Sequence, residues 1–133
     1  ILFVVMCGAV LAYLWQIHRR RPSRRMASVD VIVPAYNEEP CIGATLEALL
    51  RNRWVARVVC VNDGSTDGTA AVINRLAAQW PGRLLPVHQP NGGKGSALMH
   101  GLSYVDTEAV FLTDADTFVP PDSDGLGYLL AEI

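Results

Sequence analysis

The segment VDVIVPAYNEEPCIGATLEALLRN, residues 29–52, contains one complete strand-to-helix unit. Val29–Val33 is a β-rich run that Pro34 stops, and Cys41–Asn52 carries four aliphatic side chains at helical spacing. An apolar strand without polar alternation, followed by an amphipathic helix, is typical of a parallel sheet covered on both faces. The segment therefore predicts an α/β fold.

The same alternation continues along the chain. The patterns predict further strands at Arg57–Val61, Leu84–His88 and Ala109–Thr113, and further helices at Thr69–Trp80, Ser96–Val105 and Asp122–Ile133. We therefore expect residues 28–133 to form one α/β domain, with a mostly parallel sheet and helices on both faces.

The N-terminal region has a different composition. Ile1–Ile17 reads ILFVVMCGAVLAYLWQI, in which Gln16 is the one strongly polar side chain. As a helix it would be about 26 Å long, close to the bilayer core of about 30 Å. Five arginines follow within residues 19–27, a charge order that argues against a signal peptide and indicates a cytosolic flank. We expect a transmembrane helix at 1–18 and a basic cytosolic linker at 19–27, with the protein in the plasma or inner membrane.

Charge and cysteine content exclude two classes of protein. From Met26 onward, six basic residues stand against thirteen acidic ones, so a basic face for nucleic acid is not expected. The three cysteines are odd in number and lie in apolar runs. They predict buried thiols in a reducing compartment and no disulfide framework.

Polar or glycine-rich loops follow all four predicted strands. They are Pro34–Glu39, Asn62–Asp67, Gln89–Lys94 and Asp114–Thr117. Because the carboxyl ends of parallel strands share one edge of the sheet, we expect these loops to meet there and form a binding site.

The loop after the fourth strand indicates a metal site. Asp114 and Asp116 are two positions apart, so in extended backbone their carboxylates point the same way. Two neighbouring carboxylates repel unless a cation neutralises them, and hard oxygen ligands suit Mg²⁺ or Mn²⁺. The alternative is a solvated turn, which is the commoner meaning of an isolated D-x-D.

The other three loops offer groups that suit a nucleotide. Asp63 can accept a hydrogen bond from a base or a ribose, and Lys94, the single lysine, is placed to contact a diphosphate at a helix start. Pro34 and Tyr36 can form an apolar wall for a base, with Glu38 beside them. The glycine-rich loop lacks the Ser or Thr that a Walker A motif has after its lysine.

Four segments in this order resemble the family 2 glycosyltransferases, whose catalytic domain has the GT-A fold. They are VIVPAYNEE at 31–39, VNDGSTDGT at 61–69, NGGKGSAL at 91–98 and DADT at 114–117. The likeness covers roughly Val29 to Pro121. With the apolar N-terminus, it is most similar to the membrane-embedded branch that includes poly-N-acetylglucosamine, hyaluronan, chitin and cellulose synthases.

The resemblance implies an inverting glycosyltransferase that uses a nucleotide-sugar, usually a UDP-sugar such as UDP-GlcNAc, with a glycan or lipid acceptor. It implies the following roles: Pro34, Tyr36 and Glu38 line the nucleoside pocket, Asp63 contacts the base, Lys94 lies near the diphosphate, Asp114 contacts the ribose or the metal, and Asp116 ligates Mg²⁺ or Mn²⁺.

The family's general base and its Q-x-x-R-W-type motif are not found in this sequence. We therefore expect the base beyond Ile133, and a chain that binds the donor without transferring sugar. Two alternatives stay open. A sugar-phosphate nucleotidyltransferase would need a glycine-rich basic loop after the first strand, where this chain has PAYNEE. A non-catalytic membrane-anchored nucleotide-binding module would have no use for paired carboxylates.

Overall fold

The computed structural model describes residues 28–131, which form one parallel sheet with helices between its strands. The strands are β1 (Val29–Ala35), β2 (Val55–Asp63), β3 (Leu84–Gln89) and β4 (Val110–Leu112). The helices are α1 (Glu39–Arg51), α2 (Thr69–Gln79), α3 (Lys94–Leu102) and α4 (Gly125–Ala131). The predicted α/β class is confirmed.

The strand order is β3-β2-β1-β4, and every pairing is parallel. The chain adds β2 and β3 on one side of β1 and then returns to the other side, where Ile32 pairs with Leu112. The order therefore reverses between β1 and β4. At such a reversal the connecting loops diverge and leave a crevice beyond the carboxyl ends of the strands.

Helices cover both faces of the sheet, as predicted. Val31 and Val33 belong to a buried cluster that contains Leu46 of α1 and Ile73 of α2. The intervening Ile32 belongs to a second cluster, which contains Ala97 of α3. Successive strand side chains point to opposite faces, so an uninterrupted apolar strand serves both layers.

Several predicted boundaries were wrong. Strand β4 covers three residues because the chain turns directly after Thr113, where the Thr117 amide donates to the Asp114 carbonyl at 3.1 Å. Helix α3 begins at Lys94 instead of Ser96 and ends at Leu102.

The last helix begins at Gly125 instead of Asp122, because residues 120–124 form a separate turn. The Ser123 amide donates to the Pro120 carbonyl at 3.1 Å. The Asp124 carboxylate accepts from the indole Nε1 of Trp54 at 3.3 Å, which ties this turn to the connection between α1 and β2. Leu126 of α4 is buried in the same cluster as α1.

The predicted transmembrane helix at 1–18 and the basic linker at 19–27 lie outside the described residues. Between residues 28 and 131, no helix has both the length and the apolar character needed to cross a bilayer.

Candidate functional site

A cleft of about 330 Å³ opens at the carboxyl ends of β1, β2 and β4. It is lined by Pro34, Ala35, Tyr36, Glu38, Asp63, Lys94, Asp114, Ala115 and Asp116. All seven side chains that the sequence indicates as site residues are among them. The strand order brings them together from the ends of β1 and β2, the start of α3 and the loop after β4, although the role of each residue stays a prediction.

The Asp63 carboxylate holds the glycine-rich loop. Its Oδ1 accepts from Gln89 Nε2 at 2.7 Å and from the Gly92 amide at 2.8 Å, while Oδ2 accepts from the Gly93 amide at 2.8 Å. The Gly92 hydrogen bond is the main cause that holds the pKa of Asp63 below its ordinary value, and Gln89 and Gly93 act in the same direction against the effect of burial. Asp63 is therefore ionised near neutral pH, with most of its acceptor positions in use.

Two glycines allow the loops to approach this closely. Gly93 has a φ of 86°, a left-handed conformation that a side chain would strain, and it directly precedes α3. Gly64 has a φ of 69°, and a Cβ there would lie 2.6 Å from the Asn91 amide nitrogen. The predicted position of Lys94 at a helix start is confirmed.

The acidic segment after β4 is anchored through its middle residue. Ala115 is buried, and its carbonyl accepts from Thr45 Oγ1 of α1 at 2.6 Å. Asp114 and Asp116 on either side are exposed and line the cleft. The backbone turns here instead of staying extended, because the Thr117 amide donates to the Asp114 carbonyl. The predicted extended backbone was therefore wrong, but both carboxylates line the same cleft.

Lys94 and Asp114 form an ion pair. The sequence analysis predicts that Lys94 contacts a diphosphate and that Asp114 contacts a ribose or a metal. It does not predict that these two side chains pair with each other. Both side chains are about half exposed, so water screens the pair. The Lys94 ammonium group offsets the charge of Asp114, so Asp116 is the carboxylate that is more available to a cation.

Asp114 and Asp116 suit a divalent cation that takes its remaining ligands from outside the protein. Within residues 28–131, no three His, Cys, Asp or Glu side chains are grouped to hold a metal ion. Asp114 and Asp116 offer hard carboxylate oxygens beside an open cleft. Mg²⁺ and Mn²⁺ are bound in this way when substrate phosphates and water complete the coordination shell.

The loop after β1 is joined to the loop after β2. Asn37 has a φ of 52°; its amide donates to Ser65 Oγ at 3.0 Å, and its Oδ1 accepts from the Thr66 amide at 2.8 Å. Glu39 Oε2 accepts from the Gly68 amide at 2.9 Å. These contacts fix the backbone that presents Tyr36, whose side chain is 48% exposed at the cleft. Sequence reasoning missed them because no single-chain pattern links residues this far apart.

Cys41 is half-buried instead of lying in the core, so the prediction for this cysteine was wrong, while Cys60 is buried as predicted. The Cys41 thiol donates to Glu38 Oε2 at 3.0 Å. This hydrogen bond, with burial and the negative charges of Glu38 and Asp116, raises the pKa of Cys41 to about 11. The thiol is therefore neutral and serves as a donor to Glu38.

Comparisons with known proteins agree on one family. The family model described as Glycosyl transferase family 2 matches residues 30–132. The chain is 52% identical over 132 residues to the uncharacterized glycosyltransferase YaiP of Escherichia coli K12, covering 99% of this chain and 33% of that protein. It is 35% identical over 100 residues to the chondroitin synthase of Pasteurella multocida, covering 74% of this chain and 10% of that protein. The chain thus spans a third or less of these two relatives.

Solved structures give the same result. The mannosyltransferase PcManGT of Pyrobaculum calidifontis, in complex with GDP-Man and Mn²⁺, superposes with a TM-score of 0.71 at 32% identity, covering 98% of this chain and 41% of that one. Residues 1–349 of S. aureus TarS, in complex with UDP-GlcNAc, superpose with a TM-score of 0.67 at 28% identity, covering 78% of this chain and 30% of that one.

Proposed function

Because the chain belongs to glycosyl transferase family 2, we propose that residues 28–133 form the donor-binding half of an inverting, metal-dependent glycosyltransferase. The donor is a nucleotide-sugar, and we propose a UDP-sugar such as UDP-GlcNAc, with a glycan or lipid as acceptor. The observation that carries this proposal is the cleft in which Asp63, Lys94 and the Asp114–Asp116 pair face one another.

The cleft offers a separate contact for each part of a sugar nucleotide. Tyr36 and Pro34 supply an apolar wall for the base, and Asp63 accepts a hydrogen bond from its edge. Lys94 lies at the start of α3, where the helix dipole adds positive potential for a diphosphate. Asp116 and Asp114 would hold Mg²⁺ or Mn²⁺, which would supply positive charge to offset that of the departing nucleoside diphosphate.

The charges in the cleft allow Lys94 to change partners when a diphosphate binds. Lys94 pairs with Asp114 in the structure. When a diphosphate binds, the Lys94 ammonium group can move a short distance and pair with a diphosphate oxygen instead.

In an inverting transfer, an acceptor hydroxyl attacks the anomeric carbon on the side opposite the leaving group. We assign no general base among residues 28–131 and propose that it lies beyond Ile133.

The nucleotide and the location of the protein are parts of this proposal. The solved relatives bind UDP-GlcNAc in one case and GDP-Man with Mn²⁺ in another, which supports a nucleotide-sugar donor and a divalent metal ion. We propose that residues 1–18 span the plasma or inner membrane and that 19–27 link them to a cytosolic catalytic domain. The arginine-rich sequence of that linker supports this orientation.

Replacing Asp116 by asparagine tests the proposal. Removing one charged ligand should weaken Mn²⁺-dependent binding of UDP at least tenfold, measured by calorimetry on the 133-residue chain with and without Mn²⁺. Asp122→Asn is the matched control, because Asp122 is exposed and lies outside the cleft. Unchanged Mn²⁺-dependent binding in Asp116→Asn would instead support a non-catalytic binding module.

A further inference from the structure

We propose that Gln89, oriented by His100, limits Asp63 to a single free acceptor position and thereby selects uracil over guanine in the donor nucleotide. Gln89 is the last residue of β3 and His100 lies in α3, and neither lines the cleft. The inference rests on the proposed function, because it requires that the cleft binds a nucleotide base.

Hydrogen-bond chemistry determines which groups donate and which accept among Asp63, Gln89 and His100. An ionised carboxylate only accepts, so the amide nitrogen of Gln89 must face Asp63, at 2.7 Å from Oδ1. The amide oxygen of Gln89 then faces Nδ1 of His100 at 2.8 Å, so that nitrogen must carry a proton. The second hydrogen of the Gln89 amide points to Ser96 Oγ at 3.3 Å. The amide group therefore has one satisfactory orientation.

The acceptor positions of Asp63 can be counted. A carboxylate oxygen accepts about two hydrogen bonds. Gln89 and the Gly92 amide fill both positions on Oδ1, and the Gly93 amide fills one on Oδ2. Counting partners among residues 28–131, one position on Oδ2 is left, on a side chain that lines the cleft.

Nucleobases differ in how many donors they present to such a group. Uracil has one ring N–H between two carbonyl groups, which matches a single acceptor. Guanine presents a ring N–H and an exocyclic amino group side by side, and a carboxylate satisfies both only when both of its oxygens are free. With Oδ1 occupied, one guanine donor loses its water without gaining a partner, which is unfavourable.

The test compares dissociation constants of UDP and GDP for the 133-residue chain with saturating Mn²⁺. We expect the unmodified chain to prefer UDP at least tenfold. Gln89→Met keeps the length of the side chain but frees one position on Oδ1, and should reduce the UDP preference at least fivefold, mainly through tighter GDP binding. His100→Phe keeps a ring beside Tyr104 but releases the Gln89 amide, and should reduce the preference by a smaller factor.

The ratio of the two constants distinguishes a positioning role from a structural one. A general loss of folding weakens both nucleotides alike, whereas freeing Oδ1 changes their ratio. Gln79→Met is the matched control, since Gln79 is exposed at the end of α2, and should leave both constants unchanged.

Two results would distinguish a failure of the proposed function from a failure of the inference about Gln89. If the unmodified chain binds neither nucleotide, the proposed function fails and the inference falls with it. If it binds UDP and GDP equally, or if Gln89→Met and His100→Phe keep the original ratio, Gln89 does not set the base preference, while the proposed function stands.

Discussion

Replacing Lys94 by methionine should change the affinities for metal and for nucleotide in opposite directions. In the structure the Lys94 ammonium pairs with Asp114, so a cation that approaches this carboxylate competes with a charge already there. Methionine removes that competitor. It also removes the single lysine of the sequence, which lines the cleft and which we propose contacts the diphosphate.

The expected size of each effect follows from the exposure of the pair. The side chains of Lys94 and Asp114 are 61% and 52% exposed, and an exposed ion pair contributes about 0.2–1 kcal/mol. Binding of Mn²⁺ alone should therefore tighten by about 1.4- to 5-fold. A hydrogen bond to a charged group contributes about 1.5–3 kcal/mol, so the affinity for UDP with Mn²⁺ should fall by about 10- to 150-fold.

Two titrations of the same protein measure these effects. Free Mn²⁺ is followed by electron paramagnetic resonance in the absence of nucleotide, and UDP binding is followed by calorimetry at saturating Mn²⁺. Lys94→Arg is the control, because it keeps the positive charge and should stay close to the unmodified chain in both. If Lys94→Met binds free Mn²⁺ no more tightly, the ion pair does not restrain Asp114. If it binds UDP as well as before, Lys94 does not contact the diphosphate.

Two further predictions concern stability. Gly101→Ala should destabilise the fold by about 1–3 kcal/mol in urea unfolding, because its Cβ would lie 2.7 Å from Ile32 Cγ2. Gly95→Ala in the same helix meets no atom within 4 Å and should stabilise by about 0.5 kcal/mol; equal effects of the two changes would contradict the packing of α3. Hydrogen bonds lower the pKa of Asp63 and of Asp67 below 3.8, so their contribution to stability is complete above about pH 4 and is lost as pH falls through the lowered values. The free energy of unfolding should thus decline below pH 4, less steeply in Asp63→Asn, and an unchanged slope in that variant would refute the contribution of Asp63.

The location of the candidate site could be predicted from sequence because it depends on one general property of parallel sheets. Loops that follow consecutive strands share an edge, so Asp63 and Asp114 could be expected near each other before any coordinates. The contacts within the site could not be predicted in this way. Gln89 belongs to no recognisable motif. Its hydrogen bond to Asp63 depends on β3 lying beside β2 in the register that places Asp63 opposite Gln89.

The amino-acid sequence by itself determined the α/β class, the family and the residues that come to the cleft, because strand and helix periodicity and the order of motifs are local properties of the chain. Only the tertiary structure decided that Lys94 pairs with Asp114, that Asp63 is held by Gln89 and the glycine loop, and that Cys41 faces Glu38 outside the core. Side-chain partners depend on which strands are neighbours and on their register. The packing of helices on both faces of the sheet sets that register across distances that no local pattern encodes.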